Sequence, residues 1–176
     1  MVSNIYLIGP RACGKTTVGK QLADKLRLEF FDSDEVLVRK AGCEIAQYVE
    51  QHGWDGFRDL EAEVLRELSV QQNAVISCGG GIVVREENRT LLGDNFTVYI
   101  KADVETLANR LLSDPNHDQR PSLTGKSIVD EIREVLDARE DLYSGCANLV
   151  ADGSGSIEDV CSEILDSYQS FSKGEK

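Results

Sequence analysis

Three short stretches of the sequence hold residue types whose spacing could do chemistry. The first is Gly9-Pro10-Arg11-Ala12-Cys13-Gly14-Lys15-Thr16-Thr17, which fits the pattern GxxxxGK[ST]. Phosphate oxygens need many donors in a tight concavity. Glycines at 9 and 14 let the backbone curl with its N–H groups turned inward. A helix starting near Lys15 adds its positive dipole end. Lys15 then lies against the outer phosphates of ATP, and the Thr16 hydroxyl can ligate Mg²⁺. Arg11, Ala12, Cys13 and Thr17 belong to the same nucleotide-binding stretch, although Arg11 on its own reads as solvent-facing and Thr17 as an ordinary first-turn residue.

The second stretch is Asp32-Ser33-Asp34, at the end of a short apolar run. If the backbone stays extended there, both carboxylates project to one side. Asp32 is then placed near Mg²⁺, and Asp34 near an acceptor hydroxyl that it orients or deprotonates. The competing reading is a cap for a helix starting at Glu35. The third stretch is Gly79-Gly80-Gly81 after the apolar run AVISC. Three glycines lose much conformational entropy on folding. Close approach of a ligand to the backbone would explain them, and so would a sharp strand-to-helix turn. Arg58 suits a carboxylate clamp, with Glu61 one helical turn on to hold it. Arg120 stands in a polar segment where it could cover a transferring phosphoryl group. Arg110 and Arg139 read individually as solvated helix positions, and Cys13 and Cys78 as small packing residues.

Short apolar strands alternate with amphipathic helices along the chain. Strands are expected at 4–8, 29–31, 74–78, 96–100 and 147–151. Helices are expected at 17–28, 35–40, 45–51, 59–71, 86–92, 103–112, 127–143 and 157–168, with a turn at 53–58. Strands that read as apolar runs imply a parallel sheet covered on both faces, so the fold class is α/β in three layers. Ligands of such sheets gather beyond the carboxyl ends of the strands, where Gly9, Asp32, Asp34 and Gly79 stand. The chain is expected to form one domain over 1–176, with a lid at about 113–126.

The chain has 176 residues, 41% hydrophobic and 28% charged, with a formal net charge of −12. That balance argues against wrapping a nucleic-acid backbone, yet a few arginines can still make one positive cleft. No apolar run is long enough for a membrane-spanning helix, and no secretory leader is visible. Five scattered cysteines without a CxxC pair fit a reducing compartment, so a cytoplasmic protein is expected.

Taken in order, GPRACGKTT at 9–17, FFDSD at 30–34, GFRDLE at 56–61, CGGGIV at 78–83, RP at 120–121 and DAREDLY at 137–143 resemble shikimate kinase across about 4–168. The resemblance implies a P-loop kinase fold with a five-stranded parallel sheet, similar to nucleoside monophosphate kinases. It implies transfer of the γ-phosphate of ATP, with Mg²⁺, to the 3-hydroxyl of shikimate. Carried over residue by residue, it gives Asp34 the reacting hydroxyl, Asp32 and Thr16 the metal, and Arg58 and Arg139 the shikimate carboxylate. Gly79, Gly80 and Gly81 match backbone that lines the shikimate site. Lys15 and Arg120 match groups on the phosphates, and Arg110 a residue on the nucleotide side. Adenine contacts map loosely to 152–155. Ser122 departs from the leucine that many members carry after Arg-Pro. Other readings are a kinase for another hydroxylated acid such as gluconate, or an ATP-sensing module without an acceptor. No nucleic-acid or membrane partner is expected, and the chain is expected to act as a monomer.

Overall fold

The computed structural model describes residues 4–113 and 127–174. The expected lid, with Arg120 and Ser122, lies outside the described residues apart from Ser113, which caps a helix. Among the described residues the five strands are β1 (Ile5–Ile8), β2 (Glu29–Asp32), β3 (Ala74–Ser77), β4 (Phe96–Lys101) and β5 (Leu149–Asp152). Every pairing is parallel, in the order β2-β3-β1-β4-β5. β1 is therefore central, and all carboxyl ends lie along one edge. The register sets Asp32 beside Ser77, which brings the segments after β2 and β3 together.

Alternation along β1 sorts the core. Ile5 and Leu7 join a cluster with α1 (Lys15–Leu26), α5 (Val104–Leu112) and α7 (Ile157–Ser172). Tyr6 and Ile8 face the other way, toward α3 (Ile45–Ser69) and α4 (Glu86–Gly93). Successive strand residues point to opposite faces, so each face of the sheet acquires its own helical layer. α6 (Ile128–Cys146) contributes Ile132 and Leu136 to the first cluster and Tyr143 and Cys146 to the second. Burial of these side chains is the main favourable term holding the layers together.

Three local expectations need correction. α2 runs Ser33–Ala41, so it begins two residues earlier than the pattern suggested. Asp34 is therefore in the first helical turn rather than on extended backbone, and the two carboxylates do not project as strand neighbours. The expected turn at 53–58 narrows to Gly53, whose φ of 71° and ψ of 175° are non-helical and divide α3 into two helical segments across a kink. Glycine tolerates that positive φ, so the break falls there. A short 3₁₀ turn over Ile82–Val84 follows the glycine triplet and has no signature in the apolar pattern. Asp103 caps α5, accepting from the Thr106 N–H at 2.7 Å.

Candidate active site

The phosphate loop joins β1 to α1 and depends on two left-handed glycines, Gly9 (φ 144°) and Gly14 (φ 107°). At Gly9 a Cβ would also lie 2.6 Å from the Ile100 carbonyl oxygen, so side chains are excluded on two grounds. Gly14 is the N-cap of α1 and supplies no side-chain cap. The first N–H groups of α1 thus point into the loop, as an anion site requires. The Lys15 ammonium is buried there and donates to the carbonyls of Gly9 (3.0 Å) and Pro10 (2.8 Å). Cys13 packs beneath it, 1% exposed, with its sulfur 3.6 Å from Lys15 Nζ.

Asp32 ties the loop to the second strand. One carboxylate oxygen accepts from the Thr16 hydroxyl at 2.9 Å, and the other accepts from the Asp34 N–H at 3.0 Å. The side chain is therefore both the N-cap of α2 and a partner of the loop threonine, so the capping and metal readings occupy one residue. A hydroxyl and a carboxylate oxygen side by side form a hard donor pair of the kind Mg²⁺ takes. The loop's inward N–H groups, one lysine and this oxygen pair together fit Mg²⁺ with ATP.

Asp34, Arg58, Glu61 and Arg139 meet at the glycine triplet. A Cβ on Gly79 would fall 2.6 Å from Asp34 Oδ1 and 2.9 Å from Glu61 Oε1, so both carboxylates press on that residue. The Gly79 N–H is held by the Ser33 hydroxyl at 2.9 Å. Arg58 Nη1 donates to Glu61 Oε2 at 2.6 Å, and both side chains are buried. Its guanidinium lies 5.0 Å from the Phe57 ring centroid and 5.6 Å from that of Trp54. Arg139 Nη1 donates to the Gly80 carbonyl at 3.1 Å. Burial pushes the Glu61 carboxyl up from its ordinary range; Arg58 and Arg139 pull it down, and the Asp34 charge pushes it further up.

A cavity of about 1060 Å³ opens beside these groups. Arg11, Ala12, Gly14, Lys15, Thr16 and Thr17 line its phosphate-loop wall, and Asp32, Asp34 and Gly80 its other side. Arg58 and Arg139 are not among its lining residues; Arg139 holds Gly80, which is, and Arg58 packs against the neighbouring Gly81. Arg110 is not the solvated helix residue its position suggested. It is half-buried, lines the cavity, and donates to Ala12 O and Cys13 O (both 3.3 Å) and to Gly153 O (2.8 Å).

A family model described as shikimate kinase matches residues 11–169. The chain belongs to the shikimate kinase family. A shikimate kinase of Nitratidesulfovibrio vulgaris is 43% identical over 164 residues, covering 93% of this chain and 94% of that one. A shikimate kinase 2 of Enterobacter sp. strain 638 is 46% identical over 166 residues, covering 94% and 95%. The structure of shikimate kinase from Acinetobacter baumannii in complex with shikimate superposes with a TM-score of 0.88 at 36% identity, covering 94% of this chain and 92% of that one.

Several participants in this shikimate kinase were not readable as such from the sequence. Ser33, between the two aspartates, was given no role, yet its hydroxyl anchors Gly79. Tyr143 lies in a helix with no motif to single it out, yet its hydroxyl donates to the Gly80 carbonyl. Glu35, Arg39 and Glu44 line the cavity without any local motif to mark them. The burial of Cys78 raises its thiol pKa well above the ordinary cysteine range, so no thiolate is available there for nucleophilic chemistry.

Proposed function

We propose that ATP lies along the phosphate loop, with Arg110 on its nucleotide side, while the acceptor rests against Gly79, Gly80 and Gly81. As a shikimate kinase, the protein transfers the γ-phosphate of ATP to the 3-hydroxyl of shikimate, giving shikimate 3-phosphate and ADP. The observation that carries the site assignment is the meeting of Asp34, the Arg58–Glu61 pair and Arg139 on one glycine triplet beside the phosphate loop. An acidic alcohol needs this combination: cations for its carboxylate, and an acceptor oxygen for the hydroxyl that reacts.

In this reading Asp34 orients the nucleophilic hydroxyl and accepts its proton. Lys15 and the N–H groups of the loop hold the transferring phosphoryl and the oxygens it leaves. Thr16 and Asp32 hold Mg²⁺, which when bound neutralises charge on the phosphate oxygens. Arg58 and Arg139 take the carboxylate of shikimate. Arg120, outside the described residues, is assigned to the phosphates by the family pattern. Phosphoryl transfer is mostly positioning and charge placement, so the arginines and Lys15 carry much of the rate and Asp34 the alignment.

No helix among the described residues is long and apolar enough to cross a membrane. With five free cysteines, this supports a cytoplasmic enzyme, and we assign it as a monomer. The test is ADP release with ATP and Mg²⁺ against shikimate, gluconate and nucleoside monophosphates. Strong stimulation by shikimate alone is expected. Equal stimulation by gluconate would overturn the acceptor assignment, and acceptor-independent ATP binding without ADP release would favour a sensing module.

A further inference from the structure

The Gly80 carbonyl accepts from two side chains of one helix. Arg139 Nη1 reaches it at 3.1 Å, and the Tyr143 hydroxyl donates to it from one turn further along α6. Both lone pairs of that oxygen are thereby used. The surrounding backbone is three glycines, the sequence least able to hold a conformation unaided. The peptide after Gly80 is trans, so fixing its carbonyl toward α6 turns the Gly81 N–H the opposite way.

Tyr143 is fully buried and does not line the cavity. Its ring stacks on Tyr99 of β4, with centroids 5.0 Å apart and planes 23° from parallel. The donor is thus anchored to the sheet rather than to a loop. Packing alone does not call for a hydroxyl: the Tyr99 hydroxyl has no partner among the described residues, whereas that of Tyr143 is spent on Gly80. Burial also raises the Tyr143 pKa, so the phenol keeps its proton and remains a donor.

We infer that Tyr143 is a positioning residue for the acceptor: by holding the Gly80 carbonyl beside Arg139, it sets the Gly80–Gly81 peptide and that guanidinium for shikimate binding. This rests on the acceptor-site reading above. Tyr143 touches no reacting atom and acts only through Gly80 and Arg139.

The test is Tyr143→Phe, which keeps the ring and its stack on Tyr99 but removes the donor. The KM for shikimate should rise about three- to tenfold, as loss of one hydrogen bond implies. The KM for ATP should stay within about twofold, and calorimetric Kd for shikimate, measured well below Tm, should rise in step. Arg139→Lys is measured alongside, and the double variant should lose less than the product of the two single effects, because both act on one carbonyl. An unchanged shikimate KM in Tyr143→Phe overturns the inference. So does an equal rise in both KM values with a fall in Tm, since that reports general loosening. If Arg139→Lys itself leaves shikimate binding untouched, the acceptor-site reading fails; if only Tyr143→Phe is silent, the acceptor site stands without this residue.

Discussion

The Arg58 guanidinium occupies the space that a side chain on Gly81 would need. Glycine at this position is therefore a requirement of the arginine's placement, not of the local backbone, whose φ of −95° suits any residue. Gly81→Ala should displace Arg58 from Glu61, raise the KM for shikimate about tenfold or more, and lower Tm, because a buried ion pair is broken. Gly80→Ala is the contrast. The nearest atoms to its Cβ would be Arg11 N and Gly9 O at 3.6 Å and Pro10 C at 3.8 Å, ordinary van der Waals contacts, so Tm should stay close to wild type. Thermal melts and shikimate saturation curves of the two variants check this, and a Gly81→Ala protein with wild-type shikimate KM would contradict it.

Asp34→Ala should lower kcat by about a hundredfold or more, the usual scale for a positioned acid–base group. The KM for ATP should change little, since Lys15 and the loop are untouched. Steady-state kinetics with both substrates varied separate the two effects. Near-normal turnover would remove Asp34 from its assigned role.

Asp32→Asn separates the two functions that meet on that carboxylate. Asparagine caps helices about as well as aspartate, so α2 and Tm should be preserved. The charge beside Thr16 is lost, and the Mg²⁺ concentration for half-maximal rate should rise about tenfold, on the scale of a lost charge-assisted contact. A Mg²⁺ titration at saturating ATP reads this directly, and chelation by EDTA should abolish turnover in both proteins.

Tyr99→Phe should be neutral or stabilising. Its buried hydroxyl has no partner among the described residues, a cost of about 1–3 kcal/mol that phenylalanine removes. Burial also pushes its pKa from 10.0 up to about 12. In the unfolded chain the phenol ionises first, so the stability it favours is intact below pH 10 and is lost as pH rises toward about 12. The alkaline decline in Tm should accordingly be shallower in Tyr99→Phe than in wild type. A lower Tm of Tyr99→Phe at neutral pH would mean that the hydroxyl finds a partner after all.

The parts of this enzyme that were legible in the sequence are those written in neighbouring residues. The phosphate loop announces itself because its glycines, lysine and threonine must be adjacent to curl round one anion. The strands announce themselves because both faces are covered, leaving runs such as AVIS without polar alternation. Asp34 was placed on the wrong kind of backbone, since capping by Asp32 starts α2 at Ser33 and propensity fixes helix ends poorly. Ser33 and Tyr143 carry no local mark, and Arg110 was placed on the nucleotide side only through the family resemblance. The partners of Ser33 and Tyr143 lie 46 and 63 residues away and those of Arg110 43, 97 and 98, and the fold alone brings them together.

Because β1 is central, the sheet divides the enzyme's labour across its width. The segments assigned to the alcohol leave β2 and β3, whereas Gly153 and the helix bearing Arg110 belong to the β4 and β5 side. Drift in acceptor preference can then accumulate on one flank while the grip on ATP is inherited intact on the other. The exception is α6, whose Arg139 and Tyr143 cross-brace the two flanks. A chimaera that imports a foreign β2–β3 flank would have to bring the matching turn of α6 with it.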